Sequence, residues 1–154
     1  MATEEQPVSP NRIEFGEDIE IVAEAEVKKT ESKEKVADAI SKLFGGKGDL
    51  RIESDRVQLV SSDLQSLKHL KDQFRDRRVR SSARRLLLSN KGDREDALQT
   101  FLLLNKQAAT VGIAALCDDP RESPLGPIVL RIGSSHVERI IDWLTQGYDR
   151  AETS

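Results

Sequence analysis

Six arginines fall between positions 75 and 85: Arg75, Arg77, Arg78, Arg80, Arg84 and Arg85. Only Asp76 offsets them, so this short stretch carries +5 in a chain whose formal net charge is −3. Guanidinium is planar, always charged and presents a fork of donors that matches phosphate oxygens. A concentrated run of it on an otherwise acidic chain points to phosphate chemistry, with an RNA backbone as the first candidate partner.

At 100° per residue from Phe74, Val79, Ala83, Leu86 and Leu87 fall between about 120° and 220° and form one apolar stripe. Arg77, Arg78, Arg84 and Arg85 fall on the opposite side, with Arg80 at its edge. This spacing predicts an amphipathic helix with a continuous guanidinium face. Leu64, Leu67, Leu70 and Phe74 cluster at a different angle, between about 320° and 80° through zero. The core-facing side therefore switches near residues 75–78, which predicts two helices or one with a sharp break. Solvated faces usually mix both signs, and this one hardly does.

Asn105-Lys106-Gln107 follows a very apolar segment, Leu98 to Leu104. A lysine flanked by two amides at a strand end has the donors to meet phosphates and base edges; the plain alternative is a polar turn. Asp118, Asp119 and Glu122 have the hardness for a divalent cation, but no further ligands stand at a metal spacing and no metal is expected. His69 and His136 are apart, and with the single Cys117 they give no zinc or Cys–His pattern. Gly45-Gly46-Lys47-Gly48 lacks the Walker spacing and reads as a helix stop. These observations imply no catalytic residue and no cofactor.

Composition sets the frame for these residues. A chain of 154 residues suits one domain with a real core. Aromatics are only 4% of it, so aliphatic residues must build most of that core, and base stacking on strands would rest on Phe101 alone. The lone cysteine fits a reducing compartment. No apolar run reaches the length of a membrane helix, and a cytoplasmic protein is expected.

The pattern predicts one α+β domain over 17–147, between a flexible N-terminal leader at 1–16 and a flexible C-terminal tail at 148–154. Ile19 to Val27 alternates as a strand. Val36, Ala39, Ile40 and Leu43 follow as a helix stopped at Gly45-Gly46. Leu50/Ile52 and Val57/Leu59 form a hairpin across Ser54-Asp55. Ser62 and Gln65 form a capping box for the helix of Leu64 to Phe74. Beyond the arginine helix, which stops near Ser89-Asn90, Leu98–Leu104 reads as a buried strand and Ile113–Cys117 as another. A turn or short helix lies between them. Ile128–Ile132 is a strand, and Ser135 with Glu138 caps a last helix that carries Trp143 and closes at Gly147. Such interspersed elements, with a hairpin among them, favour a largely antiparallel sheet packed against helices.

The order of these segments, together with several of their residues, resembles a small archaeal family of predicted RNA-binding proteins proposed as exosome-associated subunits. The matching residues are Ile19-Glu20-Ile21-Val22-Ala23-Glu24-Ala25, Arg77 with Ala83-Arg84-Arg85-Leu86-Leu87-Leu88, Leu104-Asn105-Lys106-Gln107-Ala108-Ala109, and Ser123-Pro124-Leu125-Gly126-Pro127-Ile128. The resemblance spans roughly residues 17 to 147. It implies a fold similar to that of the 5S-rRNA-binding large-subunit ribosomal protein, and it rests on Arg84, Arg85 and Lys106 more than on Arg78 or Arg80.

The expectation is a non-catalytic RNA-binding protein, with exosome or ribosome-related proteins as further partners. Arg77, Arg78, Arg84 and Arg85 would hold phosphates, Lys106 would extend the track, and Asn105 and Gln107 would add directional bonds. Neutralising about four phosphates of a single strand gives a log–log salt slope near −3. The alternative is a protein-interaction module, such as a homodimer, in which the arginines meet an acidic partner and an exposed sheet edge pairs.

Overall fold

The computed structural model describes residues 19–92 and 98–146. The expected leader and tail, and Gly147, lie outside them. Six strands form one antiparallel sheet: β1 (Glu20–Glu26), β2 (Asp49–Ile52), β3 (Arg56–Ser61), β4 (Gln99–Leu104), β5 (Leu116–Cys117) and β6 (Ile128–Gly133), in the order β2-β3-β1-β6-β4-β5. The helices are α1 (Lys33–Leu43), α2 (Lys68–Asp76), α3 (Arg80–Ser89), the single turn α4 (Lys106–Ala109) and α5 (Val137–Gln146). The α+β class and the antiparallel sheet are as the pattern predicts.

Strand alternation explains where the core sits. Ile21, Ala23 and Ala25 of β1 share a face with Val57 and Leu59 of β3, Ile128, Leu130 and Ile132 of β6, and Leu102 and Leu104 of β4, and all are buried. Against this face pack Val36, Ala39, Ile40 and Leu43 from α1, Leu70 and Phe74 from α2, Ala83 and Leu87 from α3, and Ile140, Ile141 and Leu144 from α5. The other face, with Val22, Glu24, Gln58, Arg131 and Phe101, is half-buried or exposed. The segment from Leu98 to Leu104 is therefore only half-buried: Phe101 is exposed on the face that no second layer covers among the described residues, and Leu98 is exposed just ahead of the strand. An apolar run alone does not distinguish the two cases.

Other differences are local. Asp63, not Ser62, caps the segment before α2, its carboxylate accepting from the Gln65 amide at 3.0 Å, and the first turn is a tight 3-10 helix from Leu64 to Leu67. At α5 the cap position falls to His136, whose carbonyl accepts from Ile140 N–H, while Glu138 pairs with Lys91. The strand expected at Ile113–Cys117 shrinks to Leu116–Cys117, because the Ala114 amide is taken by the Gln73 side chain at 2.9 Å. The Gln73 amide also donates to Gly112 O at 2.7 Å, which fastens α2 to the loop beyond α4.

Candidate nucleic-acid interface

The arginine stretch contains a real break, and the backbone says why. Arg78 N–H donates to Arg75 O and Val79 N–H reaches back to Phe74 O, the paired bonds of a Schellman helix stop. Phe74 is buried and Val79 packs against the core, so the hydrophobic contact that accompanies this motif is present too. The motif requires a left-handed residue between them. That residue is Arg78, with φ 60°, the one non-glycine at positive φ among the described residues. Glycine is the usual occupant, since a Cβ there is sterically penalised.

The continuous helical face built from Arg77, Arg78, Arg84 and Arg85 is accordingly not formed. Arg77 caps the end of α2 and Arg78 sits in the turn; only Arg84 and Arg85 belong to α3. A regular wheel cannot anticipate this, because a Schellman turn reverses the chain instead of advancing it by 100°. Arg75 lies in the last turn of α2 and pairs with Asp72 and Asp76.

The four arginines differ in what they touch. Arg84 donates to Asp142 on α5 at 2.5 Å, with both side chains nearly half exposed (44% and 48%). Arg85 stands 3.8 Å from Asp118, both still more open. Pairs of this kind contribute little, about 0–1 kcal/mol, and exchange readily for a stronger anion. Arg77 and Arg78 are exposed, and neither forms an ion pair among the described residues.

A further cation of α2 is Lys71. The Lys71 ammonium lies 5.5 Å from the Trp143 ring centroid, a cation–π contact joining α2 to α5. Burial lowers the Lys71 pKa from its ordinary value; Lys68 lowers it further, Asp72 opposes, and Arg75 and Arg80 add to the depression. Sequence reasoning passed over Lys71, since its meeting with Trp143 is a tertiary event with no local signal. Trp143 itself is core, as its neighbour Leu144 suggests.

The second expected contact dissolves. Lys106 is buried, its ammonium donating to Glu26 O at 2.8 Å, Leu125 O at 2.6 Å and Glu31 Oε1 at 2.9 Å. Three donors meet three acceptors, so nothing remains for phosphate. Asn105 is the N-cap of α4: its Oδ1 accepts from Ala108 N–H at 2.8 Å and its amide donates to Glu122 O at 3.2 Å. Of the triplet only Gln107 is exposed. The motif Asn105-Lys106-Gln107 and the loop through Leu125 thus meet, as a structural clamp.

The carboxylates of the 118–122 loop are likewise engaged. Asp119 receives the Arg121 guanidinium at 2.7 Å, which holds its carboxyl below the ordinary value. Glu122 accepts from the Asp118 amide at 3.0 Å. Among the described residues no group of three potential ligands comes together to hold a metal ion. Gly45 and Gly46, at φ 61° and 78°, terminate α1.

A family model described as RNA binding matches residues 20–133, which includes the whole α2–α3 corner. A UPF0201 protein of Sulfurisphaera tokodaii is 37% identical over 128 residues, covering 81% of this chain and 86% of the relative. One of Metallosphaera sedula is 35% identical over 127 residues, covering 80% and 85%. The crystal structure of the UPF0201 protein from Methanococcus jannaschii matches with a TM-score of 0.69 at 28% identity, over 82% of this chain and 92% of that one. The chain belongs to this archaeal UPF0201 family, whose model carries the description RNA binding.

Proposed function

We propose that the chain is a non-catalytic RNA-binding protein that holds the phosphate backbone at the corner between α2 and α3. The observation that carries this reading is Arg78. A left-handed position at a helix stop favours glycine, and here it holds an exposed arginine next to a second one, neither with an ion pair among the described residues. Backbone strain kept at a surface charge is characteristic of a functional site. Arg77 and Arg78 are the primary phosphate contacts. Arg84 and Arg85 join by releasing Asp142 and Asp118, and Lys71 reinforces the field from behind.

Recognition of this kind reads backbone and shape, because the strands offer Phe101 alone for stacking. Lys106 and Asn105 support the fold and leave the RNA to the arginines. A role beside an exosome or ribosome-related protein in the cytoplasm has the family resemblance as its support. The test is a fluorescence anisotropy titration of a single-stranded RNA with the parent and with Arg77→Gln/Arg78→Gly. The expected result is an affinity loss of roughly tenfold or more; equal affinity refutes the assignment.

A further inference from the structure

The two ends of the sheet are protected very differently. At one end β5 is only two residues long, the usual way an edge is blunted. At the other end, among the described residues, β2 has no partner beyond β3. It carries no proline and presents Leu50 and Ile52 at 40% and 49% exposure. These are two of the most solvent-exposed large aliphatic side chains in the described residues, and they sit two positions apart on one face of a four-residue strand.

The backbone of β2 is also set for pairing. Glu53 N–H donates to Arg56 O at 2.8 Å, and in an antiparallel ladder bonded pairs alternate with unbonded ones. The register Arg51↔Gln58 and Asp49↔Val60 therefore turns the amides and carbonyls of Asp49 and Arg51 inward, towards β3. Those of Leu50 and Ile52 point outward, from the edge. Residues opposite one another across an antiparallel pair share a face, so a two-fold axis must pass through a residue and not between two.

We propose that β2 pairs with β2 of a second copy of this chain, antiparallel and centred on Leu50. In that register the two Leu50 residues exchange both backbone hydrogen bonds and stack their side chains on the helix side of the sheet. Asp49 meets Arg51 of the other copy on the opposite side, and the symmetry makes the same pair twice. Centring on Arg51 would oppose two guanidinium groups. The charge pattern Asp49-Leu50-Arg51 is thus self-complementary about its middle residue. The pairing continues the sheet from six strands to twelve. It also keeps both arginine corners uncovered, because α3 packs on β4, at the far end of the strand order. The dimer would present one phosphate-binding corner at each end.

Sedimentation equilibrium of the full chain tests this, with the fold of each variant followed by circular dichroism. The parent should show a concentration-dependent monomer–dimer equilibrium. Asp49→Arg and Arg51→Asp should each raise the dissociation constant roughly tenfold or more, since each places like charges opposite one another. The double variant Asp49→Arg/Arg51→Asp should restore it. Leu50→Lys, at a position already exposed, should give a folded monomer. A parent that stays monomeric overturns the proposal. So does a dimer indifferent to the single swaps, or a double variant no better than either single one. Because this readout uses no RNA, its failure is separate from failure of the arginine assignment.

Discussion

The ammonium of Lys106 and the carboxylate of Glu31 lie 2.9 Å apart with only 3% and 10% of their side chains exposed, a buried ion pair at the meeting of the β1–α1 loop, α4 and the loop through Leu125. Two backbone carbonyls, Glu26 O and Leu125 O, complete the ammonium's shell. A buried pair with every donor satisfied holds three remote segments in register. Breaking it by removing one partner strands a charge in the interior.

Lys106→Ala should therefore destabilise the protein by about 3–5 kcal/mol, because Glu31 loses its counter-charge. Lys106→Met/Glu31→Leu should recover much of that loss. Urea unfolding curves followed by Trp143 fluorescence measure both. RNA affinity of the folded Lys106→Ala protein should match the parent, which separates a structural lysine from a phosphate contact.

Arg78→Gly should act in two directions at once. Relieving the left-handed Cβ at φ 60° should stabilise the chain by about 1 kcal/mol. Losing the guanidinium should weaken RNA binding. A gain in urea midpoint with a loss in affinity is the expected pair of results, and a destabilised variant would mean that the arginine side chain supports the fold.

Cys117 is buried, and its thiol pKa is raised by that burial and by the nearby carboxylates of Glu122 and Asp118. The thiolate is the reactive form, so alkylation near pH 8 should be slow in the native protein. It should approach the rate of a small-molecule thiol once urea unfolds the chain. Rapid native labelling would show that the β5 edge opens.

Much of the fold was legible in the sequence, since alternation at Ile19–Val27 and helical spacing from Val36 to Leu43 are local patterns that packing merely exploits. The break in the arginine stretch was legible as well, because the apolar stripes on its two sides fall at different angles. Which arginines lay on α3 was not, since a Schellman turn resets the helical phase and its signal, glycine, is replaced by Arg78. Lys106 misled for a different reason. Its acceptors come from Glu26, Glu31 and Leu125, far away in the chain, and a lysine between two amides otherwise reads as exposed. Open ion pairs such as Arg84–Asp142 were equally hidden, as they join helices whose contact only the tertiary fold creates.

The central claim is that Arg77 and Arg78, the two arginines of the corner without ion pairs among the described residues, neutralise RNA phosphates. The salt dependence of binding tests it most directly. For a single strand each neutralised phosphate contributes about −0.7 to the slope of log affinity against log salt, and recruiting Arg84 and Arg85 as well brings the parent near −3. The Arg77→Gln/Arg78→Gly variant should show a slope shallower than the parent's by about 1.4. An unchanged slope would contradict the account, because the phosphates would then be held elsewhere.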